Sequence, residues 1–209
     1  MDKSRNRKEE RNEIKVRILE EASRAFCEKG IRPVTMDDIA NALSISKRTL
    51  YEIYNDKEEL LLEVVKTHSQ ETQQFIKEVY QKSENVLEVI LVLYERNVEE
   101  FKKINKRFFE DMNKYPSVIK FIKKTRDEMA SMALECFNEG IRQGIFRDDV
   151  NYEIIRVAMM EEMDFLLQSK LSDKYPLVDI YQNIAFMHLR GVSTEKGLTI
   201  VNKFLEQIK

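Results

Sequence analysis

Apolar side chains recur every three or four residues along most of this chain, which is the spacing of one face of an α-helix. The first such pattern begins near Ile14, places Ile18, Ala22 and Phe26 on one face, and ends at Gly30. After Pro33, the chain changes to shorter patterns. These observations predict a first helix that packs one apolar face against a core.

Two short helices are predicted next, Thr35 to Leu43 and Ser46 to Tyr54. Thr35 stands three residues before Asp38, which is capping-box spacing, and Ser46 can cap the second helix. About three residues separate the two helices, and a longer helix follows from Asp56 to about Gln81. A helix, two short helices and a long helix in this order match the helix-turn-helix arrangement.

The rest of the chain is also predicted to be helical. The predicted helices are residues 84–104, 106–113, 117–143, 152–170, 177–190 and 195–208. The composition agrees, because hydrophobic residues make up 43% and charged residues 34%, while only five glycines and three prolines leave little for turns. The predicted fold class is therefore all-α rather than a sandwich or barrel.

The charge and the chemistry of single residues exclude several functions. The net charge is −2, and residues 1–66 hold 14 basic and 14 acidic residues, so any nucleic-acid contact must come from local clustering. The cysteines Cys27 and Cys136 and the histidines His68 and His188 lack the spacing of a metal site. We expect no metal, cofactor, catalytic site or membrane segment, and a cytoplasmic location.

The second short helix carries the candidate chemistry, because Lys47, Arg48, Thr49 and Tyr51 stay available while Leu50 faces the core. Four sequence blocks around it are Ile18-Leu-Glu-Glu-Ala to Gly30, Thr35-Met-Asp-Asp-Ile-Ala, Ser46-Lys-Arg-Thr-Leu-Tyr and Tyr54-Asn-Asp-Lys-Glu-Glu-Leu. In this order and spacing they resemble the DNA-binding domain of the TetR (tetracycline-repressor-like) family of bacterial regulators. The resemblance covers about residues 12–72.

The resemblance implies an N-terminal three-helix helix-turn-helix DNA-binding domain, residues 1–55, and a larger C-terminal helical ligand-binding and dimerisation domain, residues 56–209. It implies a sequence-specific transcriptional regulator, a ligand-responsive repressor that acts as a homodimer on a palindromic operator in double-stranded DNA. The alternative is a helical small-molecule- or partner-binding protein whose helix-turn-helix no longer reads DNA. The near-neutral charge of the N-terminal part supports this alternative.

The resemblance also implies a set of DNA-binding residues. They are Thr35, Met36, Ser46, Lys47, Arg48, Thr49, Tyr51, Glu52, Tyr54 and Lys57. Three positions depart from the family pattern: Ser44 replaces the usual turn glycine, Arg48 adds a forked donor, and the acidic Glu52 would repel phosphate unless it pairs with Arg48 or with cytosine. The basic residues Lys3, Arg5, Arg7, Lys8 and Arg11 could form a DNA-contacting arm or a disordered start.

The resemblance also implies an effector pocket inside the C-terminal helical domain, and a methionine-rich segment is the candidate for its lining. Six of the nine methionines lie between residues 112 and 163, beside several phenylalanines, and such surfaces adapt to varied apolar ligands. The expected lining residues are Phe108, Met112, Met129, Met132, Phe137, Met159 and Met163. The expected effector is an apolar or amphipathic small molecule, although residues of these types at helical spacing are usually core.

The predicted helix 152–170 has apolar residues on more than one side. One stripe holds Ile155, Met159, Met163 and Leu166, and another holds Val157, Met160 and Leu167. One stripe can serve the core of the protein and the other a partner subunit. The last two or three helices are therefore the predicted dimer interface.

Overall fold

A computed structural model describes residues 2–208, and it describes the side chains of residues 9–166 and 169–208. Within these residues the chain forms helices and no strand, which confirms the all-α prediction. A short 3-10 helix, Lys170–Asp173, joins two of the later helices. The α-helices are α1 Asp2–Lys29, α2 Met36–Ala42, α3 Lys47–Tyr51, α4 Lys57–Lys82, α5 Val86–Phe101, α6 Arg107–Met112, α7 Pro116–Glu128, α8 Ala130–Arg142, α9 Tyr152–Gln168, α10 Leu177–Val192 and α11 Glu195–Gln207.

The helices form two compact units. The first unit consists of residues 1–71 and 104–123, and the second of residues 72–103 and 124–209. This division differs from the predicted boundary at residue 55, because Leu60, Leu61 and Val64 of α4 are buried in the helix-turn-helix core. The predicted functional boundary stays a prediction, whereas the packing assigns the start of α4 to the first unit.

The first unit is built around a single apolar core. Its fully buried side chains come from every helix of the helix-turn-helix: Ile18 and Phe26 from α1, Ile39 from α2, and Leu50 from α3. Phe108 and Met112 of α6 pack against the same core. The four-residue steps predicted for α1 therefore do mark the buried face.

Side-chain caps set the starts of the short helices. The backbone N–H of Asp38 donates to Thr35 Oγ1 at 3.1 Å, and the Thr35 N–H donates back to Asp38 Oδ2 at 2.8 Å, which confirms the capping box. At α3, the Thr49 N–H donates to Ser46 Oγ at 3.0 Å. These bonds satisfy N–H groups that a helix start leaves unpaired.

The end of α1 is fixed by α6. Gly30 has φ +87°, and a Cβ there would lie 2.7 Å from the Cβ of Arg107, so glycine is required at this position. The N–H of Arg32 donates to Asp111 Oδ2 at 2.7 Å. Burial alone would raise the pKa of Asp111, but this bond and Lys114 lower it below its usual range. Asp111 is therefore a charged anchor for the loop after α1.

In the second unit, the core contains a cluster of aromatic rings and a bridge between two of the segments that connect its helices. The ring of Tyr94 contacts Phe186 at 4.8 Å and Tyr181 at 5.5 Å between centroids. Phe146, in the segment between α8 and α9, and Ser193, between α10 and α11, form an isolated antiparallel bridge. The ring of Phe146 is buried over Gly140 of α8, where a Cβ would lie 2.1 Å from Phe146 Cδ2.

Two helix boundaries differ from the predictions. The helix α1 begins at Asp2 rather than near Ile14, because residues 2–13 lack glycine and proline and are rich in helix-forming charged residues. The predicted helix 117–143 is divided at Met129 into α7 and α8. Val118 of α7 is buried in the first unit, whereas Phe137 of α8 packs in the second, so each part follows its own core.

No helix of the described residues is long and apolar enough to cross a membrane.

We predict that Gly140→Ala destabilises the protein, because the new Cβ collides with the ring of Phe146. The expected loss is about 1–3 kcal/mol, which lowers the melting temperature by about 2–4 °C per kcal/mol. Gly191→Ala is the matched control, since a Cβ at this helical glycine meets nothing within 4 Å. Gly191→Ala is expected to raise the free energy of unfolding by up to about 1 kcal/mol, because alanine has the higher helix propensity. Equal melting temperatures for the two variants would contradict the tight contact.

Candidate nucleic-acid interface and cavity

The first turn of α3 presents two basic side chains to solvent. Leu50 is fully buried in the core, so the opposite side of this short helix must face outwards. The side chain of Arg48 is 88% exposed and that of Lys47 is 62% exposed, and Tyr51 is also exposed. The outward side therefore offers a guanidinium, an ammonium and a phenol hydroxyl, which are groups that bind phosphates and base edges.

Each basic side chain has an acidic partner. Lys47 Nζ lies 2.5 Å from Asp37 Oδ2, and Arg48 Nε donates to Glu52 Oε1 at 2.8 Å. The hydrogen bond to Asp37 raises the pKa of Lys47, and the bond to Glu52 raises that of Arg48. Exposed pairs of this kind are weak, so a phosphate or a guanine can replace the carboxylate. The pairing of Arg48 with Glu52 is one of the two roles that the sequence left open for this acid.

The turn between α2 and α3 has the left-handed conformation that glycine favours. Ser44 occupies it with φ +54°, at a cost of about 1–2 kcal/mol for a residue with a Cβ. The N–H of Ser44 donates to the Asn41 carbonyl at 3.1 Å, and the Ile45 N–H donates to the Ala40 carbonyl at 3.0 Å. The serine therefore adopts the backbone conformation of the glycine it replaces.

The predicted DNA-binding residues divide into exposed and buried ones. Thr35, Ser46, Thr49 and Glu52 lie at the surface or partly exposed, and the first three also take part in the helix caps. Met36 and Tyr54, in contrast, are buried in the core of the first unit, together with the neighbouring apolar side chains. The DNA contacts predicted for these two side chains disagree with this burial, since neither side chain can reach a groove without leaving the core.

Tyr54 is unusual among the buried residues. Its hydroxyl has no hydrogen-bond partner among the described residues, and burial raises the pKa of the phenol to about 12. The ring therefore serves as an apolar packing element.

Lys57 has an unexpected set of partners. Its ammonium donates to three backbone carbonyls of the loop between α1 and α2: Ile31 at 3.1 Å, Arg32 at 3.2 Å and Val34 at 2.9 Å. An ammonium has three N–H donors, so all of them are used. Burial lowers the pKa of Lys57. In this structure Lys57 fixes the loop, and the phosphate contact predicted for it remains untested.

The sequence pattern also does not reveal that α1 contacts the C-terminal ends of α2 and α3. Arg11 Nη2 donates to the carbonyl of Glu52 at 3.3 Å, and Arg17 Nη2 donates to the carbonyl of Leu43 at 3.4 Å. Arg11, considered as part of an arm, is thus on the helix itself, while the side chains of residues 3–8 lie outside the described residues. Such contacts join residues 41 and 26 positions apart, and no local pattern reveals them.

The second unit contains an apolar cavity of about 230 Å³. It is bordered by α5, α8, α9 and α10, and its lining residues include Ile90, Phe137, Ile155, Met159, Met163 and Leu189. Three of the seven predicted pocket residues, Phe137, Met159 and Met163, therefore come together around one space. The shared feature is an inward position on α8 or α9.

The other predicted pocket residues lie elsewhere. Phe108 and Met112 pack against the core of the first unit, because α6 belongs to that unit. Met129 stands at the junction of α7 and α8, and Met132 is exposed. Composition indicated an adaptable apolar region, but the helix faces decide which methionines border this cavity.

Few polar groups border the cavity. The Nε2 atom of His188 lies 2.7 Å from Glu162 Oε2, and the hydroxyl of Tyr181 accepts a hydrogen bond from Asn97 Nδ2 at 2.9 Å. Burial raises the pKa of Tyr181, and that of Tyr94 to about 12, so both phenols stay neutral. Cys136, packed in the same unit, is a free thiol whose pKa is raised by burial.

Among the described residues, no group of three or more histidine, cysteine, aspartate or glutamate side chains could hold a metal ion.

The fold and the exposed basic turn define an all-helical helix-turn-helix protein with a second helical unit. Residues 18–64 match the profile of the N-terminal domain of bacterial regulatory proteins of the tetR family. The helix-turn-helix part of this chain is therefore similar to the N-terminal domain of TetR-family regulators, and the curated relatives that it matches are transcriptional regulators.

Three proteins illustrate the similarity. An uncharacterised helix-turn-helix regulator, YvaF of Bacillus subtilis, is 35% identical over 100 residues, which is 47% of this chain and about half, 52%, of that protein. The repressor KstR2 of Mycobacterium tuberculosis is 24% identical over 143 residues, 66% of this chain and 72% of that protein. A regulator from Saccharomonospora viridis, solved with choline, has TM-score 0.72 at 19% identity, covering 88% of this chain and 100% of that one. Its similarity shows the fold.

We predict that Lys57→Met destabilises the protein by about 1–3 kcal/mol, because three loop carbonyls lose a charged donor. Lys66→Met is the matched control on the same helix, since Lys66 makes one partly exposed pair with Glu63. Urea unfolding of both variants measures the difference. Unchanged stability of Lys57→Met, combined with weaker and less salt-dependent DNA binding, would show instead that Lys57 acts on phosphate.

Proposed function

We propose that this protein is a sequence-specific DNA-binding transcriptional regulator, a ligand-responsive repressor that acts as a homodimer on a palindromic operator. The observation that carries the proposal is the exposed pair Lys47 and Arg48, held outwards by the buried Leu50 in a TetR-type helix-turn-helix. We propose no enzymatic activity, and a cytoplasmic location, where such a regulator meets DNA.

The roles of the two basic residues follow from their chemistry. Arg48 carries a planar forked donor that can bind the O6 and N7 atoms of guanine together, and this is the commonest specific contact in the major groove. Lys47 carries a point charge suited to phosphate. The carboxylates of Asp37 and Glu52 hold both side chains until DNA replaces them. The carboxylate of Glu52 can then accept a hydrogen bond from cytosine N4, or disfavour binding to a DNA sequence that lacks this cytosine.

A stripe on α9 supports the homodimer. Ile154, Val157 and Phe165 are 64%, 45% and 71% exposed, and their spacing puts them on one side of the helix. Ile155, Met159 and Met163 border the cavity on another side. Large exposed apolar side chains in a row are typical of an interface, and a two-fold axis would pair this stripe with its copy. Two helix-turn-helix domains would then meet half-sites about 34 Å, or a multiple of it, apart.

The cavity supports the response to a ligand. A ligand that binds one conformation better than another shifts the population towards it, and typical coupling is about 1–3 kcal/mol, or roughly 5- to 150-fold in DNA affinity. The helix α4 runs without a break from the first unit into the second, so the chain offers a continuous connection. We propose that effector binding lowers operator affinity.

The test is selection of bound duplexes from a random DNA library by the purified protein. We expect an enriched palindrome whose affinity falls steeply with salt. Absence of enrichment at low salt, repeated after the protein has been unfolded and refolded to remove any ligand, would favour the alternative of a small-molecule- or partner-binding protein that does not read DNA.

We predict that Arg48→Ala lowers affinity for the selected operator by about 1–3 kcal/mol and relaxes the base preference at one position of each half-site. Arg24→Ala is the matched control, because it removes the same charge from an exposed arginine paired with Glu21 and Glu28 on α1. Fluorescence anisotropy against the operator and its single-base variants measures both. If the two variants behave alike, the groove assignment of α3 is wrong.

We predict that Phe165→Glu makes the protein monomeric and lowers operator affinity by about 100-fold or more, since the second half-site no longer binds as part of one molecule. Tyr80→Glu on α4 is the control, as it replaces another aromatic side chain that is more than half exposed. Sedimentation velocity reports the oligomeric state. A dimer that survives Phe165→Glu would place the interface on another surface.

A further inference from the structure

The cavity of the second unit has a chemical character that restricts its ligand. Apart from the phenols of Tyr94 and Tyr181 and the imidazole of His188, its described lining side chains are apolar. No lysine, arginine, aspartate or glutamate is among these lining residues. Transfer of an unpaired charge from water into such a site is strongly unfavourable. The lining therefore favours an uncharged ligand.

The volume restricts the size of the ligand. An engineered apolar cavity of about 150 Å³ binds benzene, and such sites otherwise stay dry. The cavity here has about 230 Å³, roughly one and a half times as much. Scaled from benzene, it fits a compact molecule of about nine non-hydrogen atoms, such as a small substituted ring.

The imidazole of His188 is one of the few polar groups that line the cavity. Its Nε2 atom lies 2.7 Å from Glu162 Oε2, and a carboxylate accepts, so the proton of the ring is on Nε2. The side chain is 17% exposed, and no described residue hydrogen-bonds to Nδ1. In the neutral ring Nδ1 carries a lone pair, and in the charged ring it carries a proton. A hydroxyl group satisfies either form, because it both donates and accepts.

We propose that the effector is a compact, uncharged, apolar molecule with a hydroxyl group, and that Nδ1 of His188 binds this hydroxyl while Glu162 orients the ring. This inference rests on the proposed function and names the ligand class of the same cavity. His188 is the specificity-determining residue. Glu162 is a positioning residue, since it acts through the histidine and is not among the lining residues.

The test uses three probes with equal numbers of non-hydrogen atoms: 4-ethylphenol, its methyl analogue 4-ethyltoluene, and benzoate. Binding to the purified full-length chain is measured by titration calorimetry at pH 7 without DNA, where the phenol is neutral. We expect 4-ethylphenol to bind at least about tenfold more tightly than 4-ethyltoluene, which corresponds to about 1.4 kcal/mol. Benzoate is expected to show no binding.

Variants assign the preference to single residues. His188→Leu should reduce the affinity for 4-ethylphenol to that for 4-ethyltoluene and leave the latter unchanged. Glu162→Ala should weaken only 4-ethylphenol binding, with partial rescue by Glu162→Gln, which keeps an acceptor for Nε2. Tyr175→Phe is the control, because it removes an exposed hydroxyl of the same unit that is not among the lining residues and should keep the preference.

Several outcomes would overturn the proposal. These are equal binding of the phenol and the toluene by the unmodified protein, tightest binding of benzoate, no binding of any probe, or a preference that survives His188→Leu. The comparison of probes on the unmodified protein needs no variant, so a variant that fails to fold leaves the test intact. Operator affinity is measured separately: probe binding without an effect on DNA would contradict the proposed function alone, and DNA release by a charged ligand would contradict this inference alone.

Discussion

The burial of Leu50 in the core of the first unit is the interaction on which the candidate DNA interface depends. The helix α3 has five residues, far fewer than an isolated helix needs to be stable in water. Its shape and direction therefore come from the packing of Leu50 in the core that it shares with Ile18, Phe26 and Ile39, rather than from its own propensity. Because one side of so short a helix is buried, Lys47 and Arg48 have only the solvent side left.

Polar contacts fix the helix starts and the loop around the core of the first unit. The caps at Thr35 and Ser46 satisfy the starts of α2 and α3, and Lys57 and Asp111 hold the loop after α1 from two directions. Each of these contacts uses a group that would otherwise be unpaired near the core, which is costly. The near-neutral first unit thus presents Lys47 and Arg48 at its surface, each paired with an acid, while Asp38 is engaged in a helix cap.

In the second unit, the apolar side chains that line the cavity and those that are exposed to solvent lie on different sides of the same helix. On α9, Met159 and Met163 face the cavity, while Val157 and Phe165 are exposed. One helix thus contributes to a candidate ligand site and to a candidate subunit interface. A ligand that fills the cavity would act on the same helix that a partner subunit would cover, so the proposed ligand response would need only this one helix to connect the two sites.

The sequence by itself determined the local features: the helical spacing of Ile18, Ala22 and Phe26, the capping box at Thr35, the cap at Ser46, the turn at Ser44 and the outward Lys47 and Arg48. These depend on neighbours within a few residues, so periodicity and cap chemistry reveal them. Only the tertiary structure decided that Met36 and Tyr54 are buried, that Lys57 binds loop carbonyls, and that Phe137, Met159 and Met163 share a cavity with His188 while Phe108 and Met112 do not. Those features join residues far apart in the chain, and the packing of helix faces brings them together.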